Sequence, residues 1–286
     1  MPPQPPLSPA VLDYARALRL LSQGDYRAGF PLYEARTDQP NGAIRKPPLP
    51  FDEWTGQDLR GKRLLIWPEQ GLGDKIMFAR FIANLHGAEV VVLCEPALEQ
   101  LFRSNLDAQV IAASGRTEFP DPDYWILYGS LPHRLGIGDI PPEPYFAATP
   151  KPRLAKGARI GVCTRGNPIH PNDANRSLPP DQAARLLGLP GAMSLHVDDT
   201  GLRDLKETAS LIAALDLVIT VDTAVAHLAG ALGEPVWILL PWSGCDWRWG
   251  VEGELSAWYS SARLVRRCAD EPWSAVVDRV LAAHRG

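Results

Sequence analysis

"DLVITVDTAVAHLAGALGEPVWILLP", residues 216–241, decides how this chain is read. "LVITV" is an apolar, β-branched run, the composition of a strand buried on both faces. Asp222 ends it, and Thr223 is suited to opening a helix. The helix runs to Leu232, Gly233 supplies its C′ residue, and "PVWILL" starts a second buried run. In an open parallel sheet, ligands bind at the carboxyl ends of strands. The first N–H groups of a helix placed there are unpaired and carry partial positive charge. Asp222, Thr223 and Ala224 therefore offer a hydroxyl and backbone donors to a phosphate. His227 lies four residues after Thr223, on the same helix face, and can point at the same anion. The plainer alternative is that Asp222 only caps the helix and His227 is packed. Spacing alone does not separate the two.

The same rhythm extends on both sides. Upstream in this half, "ARIGVCT" and "AMSLHV" read as strands, and "PPDQAARLL" and "LKETASLIAAL" as helices. Residues 136–157 break the pattern with five prolines and read as an interdomain crossing. Before them "RLLIW", "AEVVVLC", "AQVIAA" and "YWILYG" read as strands, with helices at about 74–85 and over "PALEQLFRSN". The chain thus divides into an α/β half at 57–145 and a second at 156–270. A final amphipathic helix at 271–286 is free to pack back on the first half. In front, residues 9–37 carry apolar positions at helical spacing (Val11, Ala15, Leu18, then Ala28, Leu32, Ala35) around a Gly-Asp break. This pair resembles one tetratricopeptide unit, which cannot bury its own face and must lean on a neighbour. The proline-rich start, "MPPQPPLSP", reads as disordered, so that 1–44 is a tail plus a helix pair.

Composition narrows the class. The 286 residues carry a net charge of −4, without the basic bias of a nucleic-acid binder. Arg263, Arg266 and Arg267 read as a solvated strand edge. Cys94, Cys163, Cys245 and Cys268 lie far apart without zinc spacing and read as free thiols in a reducing, cytoplasmic setting. No run of eighteen apolar residues suggests a transmembrane helix.

"EQGLGDK" (69–75) stands where the first strand becomes a helix. Walker A is absent, and GxGxxG is half present, with Gly71 and Gly73 but Ile76 at the third position. Two glycines let the backbone turn tightly and approach a ligand. They leave Asp74 at the helix start, either as an acid aimed into a cleft or as a carboxylate stabilising the helix dipole. Lys75 reads as a surface lysine.

Four stretches together resemble one family. "TVDTAVAHLAGALGEPVWIL" is similar to the nucleotide-binding segment of heptosyltransferase-like glycosyltransferases of carbohydrate-enzyme family nine, and "EQGLGDKIMFARFI" to their first loop. "RGNPIHPNDANRSLP" (165–179) and "DWRW" (246–249) resemble a bacterial branch in which the catalytic region follows tetratricopeptide repeats. The resemblance implies a B-type glycosyltransferase fold: two Rossmann-like domains with a short helical appendage, acceptor on the first and nucleotide-sugar donor on the second. It implies Asp74 as the general base that takes the acceptor proton. It implies a basic residue on the 165–179 loop facing the departing diphosphate, with Arg165 and Arg176 as candidates and Arg176 favoured. Asn167 and His170 share that loop; Trp247 and Arg248 close a wall of the cleft or pack between the halves. His196 and Asp198 fall near the donor's base or ribose. No DxD pair sits at a strand end, so no metal or other cofactor is expected. The acceptor is a protein, lipid or glycan. The alternative is a catalytically degenerate module that binds a nucleotide or glycan and recruits a protein partner. No GxSxG or Ser/His/Asp order supports a hydrolase.

Overall fold

The computed structural model describes residues 7–155 and 157–285, so most of the tail read as disordered lies outside the described residues. Two five-stranded sheets, parallel throughout, organise the chain. The first contains β1 (Asp52–Glu53), β2 (Arg63–Trp67), β3 (Glu89–Cys94), β4 (Gln109–Ala112) and β5 (Tyr124–Leu127), in the order β1-β5-β2-β3-β4. The second contains β6 (Ile160–Cys163), β7 (Ala192–Ser194), β8 (Leu217–Val221), β9 (Val236–Leu240) and β10 (Ala262–Arg266), in the order β10-β9-β8-β6-β7. The alternation read from the sequence is present in both halves. Two of the four edge strands, β1 and β10, are additions to it. β1 is two residues long, too short for any period, and β10 is the arginine-bearing edge.

The helices of eight or more residues are α1 (Pro9–Ser22), α2 (Tyr26–Tyr33), α3 (Leu72–Ala79), α4 (Pro96–Asn105), α5 (Pro180–Leu187), α6 (Leu205–Ile212), α7 (Ala224–Leu232) and α8 (Trp273–Arg285). The strands are continuously apolar because both faces are covered. In β2, Leu64 and Ile66 join one core and Leu65 the other, and all three are fully buried. In β8, Val218 faces the main core while Ile219 and Val221 face a second one, closed by Trp273, Val276, Val277 and Val280 of α8. The last helix therefore packs on the outer face of its own half, against α5 and β10. It does not return to the first half, because its apolar stripe matches the open face of the second sheet.

One core runs through both halves. α3 packs directly against α7, and the crossing is pinned to the second half: the Tyr145 and Phe146 amides donate to Ala231 O and the Lys151 amide to Ser210 O. The α1–α2 hairpin leans on both. Phe30 and Tyr33 meet Trp247 edge-on at centroid distances of 6.2 and 5.6 Å, and Tyr26 meets Trp258 at 5.9 Å. Such edge-to-face pairs add about 0.5–1.5 kcal/mol each beyond area burial. Directly after α2, a 3₁₀ turn (Glu34–Asp38) buries Arg36, which is 1% exposed. Its guanidinium grips Glu69 in a fork at 2.9 and 2.7 Å and also donates to Ser130 Oγ, Tyr33 O and Glu34 Oε1. Glu69 in turn accepts the Gly129 amide at 2.6 Å. The neighbour that the helix pair needs is thus this chain itself.

Removing one partner of a buried ion pair strands the other charge, at a cost of about 3–5 kcal/mol. Arg36→Ala should lower the unfolding free energy by about that amount in denaturant titration. The double variant Arg36→Met/Glu69→Leu should recover part of the loss. A wild-type midpoint for Arg36→Ala alone would mean that the hairpin is not anchored through this pair.

Candidate active site

Each sheet reverses its strand order at one point, between β2 and β5 in the first and between β6 and β8 in the second. The loops after β2, β6 and β8 lie at those crevices, where parallel sheets receive ligands. Chain order alone brings "EQGLGD", "TRGNPIHPNDANRS" and "DTA" to facing strand ends. Gln70 turns the first loop with a left-handed backbone (φ 58°), and its side-chain carbonyl accepts Tyr33 Oη–H at 3.2 Å. Lys75 is not a surface lysine. It is 1% exposed, and Nζ donates to Gln70 O and Gly71 O and pairs with Glu95, because the loop's inward carbonyls need a donor.

The first turns of α3 and α7 touch. A Cβ on Gly73 would fall 2.5 Å from His227 Cδ2 and 3.5 Å from Ala224 Cα, so a side chain here would hold the helices apart. Asp74 Oδ2 accepts the Gly71 amide at 2.9 Å as a helix-capping carboxylate. Asp74 Oδ1 accepts from Arg248 Nη2 at 2.5 Å, across 174 residues of sequence. Arg248 also binds Asp246 through Nε (2.8 Å) and Nη2 (3.0 Å), and its Nη1 meets His227 Nε2 at 3.3 Å. His227 Nδ1 lies 2.8 Å from Tyr259 Oη, and Trp249 stacks on the ring at 5.1 Å. His227 is 2% exposed, with both ring nitrogens engaged.

Burial alone would raise the Asp74 carboxyl, but the Arg248 charge more than offsets it and holds the group below the usual carboxylate range. Burial and then Arg248 hold His227 well below the usual imidazole range, so the ring is neutral. Burial, with repulsion from Asp246, pushes half-buried Asp222 up to about 6. Two acids shifted in opposite directions thus stand near one guanidinium.

At the α7 terminus, Thr223 Oγ1 accepts the Val225 amide, and the Thr223 carbonyl accepts that of Ala226. The Ala224 amide has no acceptor among the described residues, and Asp222, Thr223 and Ala224 are half-exposed. Of the two loop arginines, Arg176 is here: Nη1 donates to Asp222 O at 2.8 Å and Nε to Asp173. Gly166 lies beneath it, where a Cβ would strike the guanidinium. Arg165 points elsewhere, to Asp199, while His196 caps the short turn Val197–Thr200 and faces Asp198. Asn167 and His170 are exposed and brace their own loop, each accepting an amide two residues on. Asn172, not singled out from the sequence, ties that loop to Ser243 O and Gly244 O after β9. Trp247 is buried in the aromatic cluster under the hairpin. Asp246, Tyr259, Glu69 and Arg36 were also unread. For Asp246 the signal was available, an acid two residues before an arginine in a turn. Among the described residues no group of three or more His, Cys, Asp or Glu stands close enough to hold a metal ion.

Residues 195–240, the stretch holding β8, the α7 terminus and β9, match the profile of glycosyltransferase family 9 (heptosyltransferase). Over this stretch the chain is similar to glycosyltransferase family 9. Protein FlbA of Caulobacter vibrioides is 28% identical in an alignment covering 99% of this chain. The chain spans 56% of that relative's length. Among solved structures, the family 9 glycosyl transferase of Veillonella parvula superposes with a TM-score of 0.53 at 12% identity, over 75% of this chain and 88% of its own. The dodecameric iron-containing heptosyltransferase TibC in complex with ADP-D-β-D-heptose gives 0.52 at 13% identity, over 80% and 78%. These likenesses bear out the two-domain glycosyltransferase B-type fold. The family 9 segment contains Asp222–His227 but stops before Asp246 and Arg248, and it excludes the Asp74 loop.

Two outcomes follow from the packing and the charge. Gly73→Ala forces a methyl group into a ring pinned from both sides; overpacking of about 1–3 kcal/mol should outweigh the helix-propensity gain of about 1 kcal/mol, lowering Tm. For Asp222 the folded carboxyl binds its proton more tightly than the unfolded one. Its contribution to stability therefore falls as pH rises from the ordinary carboxylate value to about 6. Asp222→Asn removes that penalty. In thermal unfolding it should match wild type near pH 4 and exceed it at pH 7.5, on the order of 2 kcal/mol. An equal effect at both pH values would mean that Asp222 is not the group titrating.

Proposed function

We propose that the chain is a glycosyltransferase that moves a sugar from a nucleotide-sugar donor to a hydroxyl of a protein, lipid or glycan, without a metal ion. The observation that carries this reading is that the first turn of α3, which bears Asp74, meets the α7 terminus through Gly73. Family 9 similarity supports the donor side. Asp74 accepts the acceptor hydroxyl's proton as the new glycosidic bond forms and the bond from the anomeric carbon to the diphosphate breaks. Negative charge then grows on the departing diphosphate. The Ala224 amide, the α7 dipole and Arg176 stand where they can receive it. One preorganised donor of this kind is worth about 3 kcal/mol in turnover. The remaining cation, Arg248, is engaged with carboxylates. Four free cysteines and the lack, among the described residues, of a helix long and apolar enough to cross a membrane fit the cytoplasmic setting read from the sequence.

One observation favours a second reading, a nucleotide- or glycan-binding module that recruits a protein partner. Both Asp74 oxygens already accept hydrogen bonds, from Gly71 and Arg248. Turnover separates the two. A thermal-shift screen against nucleoside diphosphates and their sugars identifies the donor, since saturation at a hundredfold Kd adds about 2.7 kcal/mol. With that donor, Asp74→Asn should bind within about threefold of wild type yet lose about 10²-fold or more in transfer. Arg176→Ala, which removes the cation beside the α7 terminus, should weaken binding instead. Undiminished transfer by Asp74→Asn refutes the base; donor binding with no transfer or donor hydrolysis by wild type favours the module.

A further inference from the structure

Arg248 comes from the turn after β9, in the second half, yet its shortest hydrogen bond is to an acid of the first. Four of its N–H groups are spoken for: two on Asp246, one on Asp74 and one toward His227. A guanidinium has no lone pair, so at the His227 contact it is the donor. His227 Nε2 must therefore be the acceptor, and the ring proton sits on Nδ1, donated to Tyr259 Oη. This fixes the tautomer without reference to titration. It also means that Nε2 of this ring has no proton to offer an anion while Arg248 is in place.

The surroundings make the arrangement single-valued. Asp246 binds the guanidinium through two nitrogens, Trp247 stacks beside it with Arg248 Cζ 5.6 Å from the ring centroid, and Trp249 covers His227. Trp247 is held by Phe30 and Tyr33 of the hairpin. The side chain is 5% exposed, so it has no solvated alternative.

We propose that Arg248 is the positioning residue of this site: it crosses between the halves to fix the Asp74 carboxylate, and His227, protonated on Nδ1, is the acceptor that aims it. This rests on the reading of Asp74 as the base, which it deepens. Asp74 has two lone-pair directions taken, one by the capping amide and one by Arg248, and presents the rest of its oxygen surface to an incoming hydroxyl. Its charged and titratable surroundings are Arg248 and Asp246 from the turn after β9, His227 from α7, His170 from the loop after β6, and Tyr14 and Tyr33 from the hairpin. Arg248 is the one of these that contacts it as a cation.

The test is carried out on the full chain, with two readouts. The first does not need activity: ¹³C-carboxyl NMR of aspartate-labelled protein, with the Asp74 signal assigned by its loss in Asp74→Asn. In wild type this signal should titrate below the ordinary carboxylate range. In Arg248→Gln its midpoint should rise by about one pH unit or more. Arg248→Gln leaves two acids facing each other and can fail to fold. The charge-balanced double variant Asp246→Asn/Arg248→Gln removes one charge of each sign and should show the same rise. The second readout is transfer. Arg248→Lys keeps the charge but loses the fork, so kcat should fall about tenfold or more while donor KM changes by less than about threefold. The acid limb of kcat/KM should stay low in Arg248→Lys and move up in Arg248→Gln. An Asp74 midpoint unchanged in the double variant overturns the proposal. A midpoint that moves while Asp74→Asn keeps full transfer supports the positioning role and defeats only the base assignment.

Discussion

A guanidinium inside a protein must be answered by carboxylates or carbonyls, because its charge costs several kcal/mol to desolvate. Among the described residues three are buried, and each answer joins parts that are remote in sequence. Arg36 answers to Glu69 and ties the helical hairpin to the first loop. Arg248 answers to Asp246 and Asp74 and ties the second half to the first. Arg80 answers to the carbonyls of Pro141 and Trp258, among the rings of Tyr145, Trp258 and Tyr259, and ties α3's extension to the crossing. These bonds are directional, so they fix orientation where the apolar core between α3 and α7 fixes only proximity.

Rigidity between the halves follows. A domain rotation that opened the Asp74 side from the α7 side would have to break the Asp74–Arg248 bond, part Gly73 from His227 and unseat Trp247 from under Phe30 and Tyr33. The crossing gives no slack, since its amides are bonded to Ala231 and Ser210. The surface beside this joint is formed by the loop after β6 and the residues directly after β9. These are exposed around Ile169 and Trp242 and joined to each other mainly through the Asn172 side chain.

The charge at the strand ends is not uniformly positive. Asp74, Asp222 and Asp246 stand against Arg176 and Arg248, and the second of these is committed to two of the acids. What recommends the α7 terminus as an anion site is thus local: an unengaged amide, a helix dipole and Arg176 beside the Asp222 carbonyl. Asp222 is the group that opposes an anion there. Burial has already moved it up to about 6, so a proton is the cheapest way to relieve the opposition.

Much of this was legible in the sequence, for a reason visible in the particular elements. β2, β8 and β9 are buried on both faces and announce themselves as continuous apolar runs; α7 is bounded by Thr223 and Gly233, whose roles are local. The loops fell at the strand ends because βαβ order places them there. What was not legible is long-range pairing. Asp74 and Arg248 stand 174 residues apart, and no periodicity records that one will meet the other. Lys75 looked solvated because nothing nearby showed that the inward carbonyls of Gln70 and Gly71 would need a donor. The last helix was free to face either half because its stripe states that it must be covered and not by what; only the open outer face of the second sheet decided it. Yet the tryptophans held a clue. "DWRW" places a charged residue between two large rings in a stretch rich in turns, and rings of that size are highly buried on average. Arg248 is where that clue led: a loop residue buried at the joint of the halves, its charge neutralised by an acid from each.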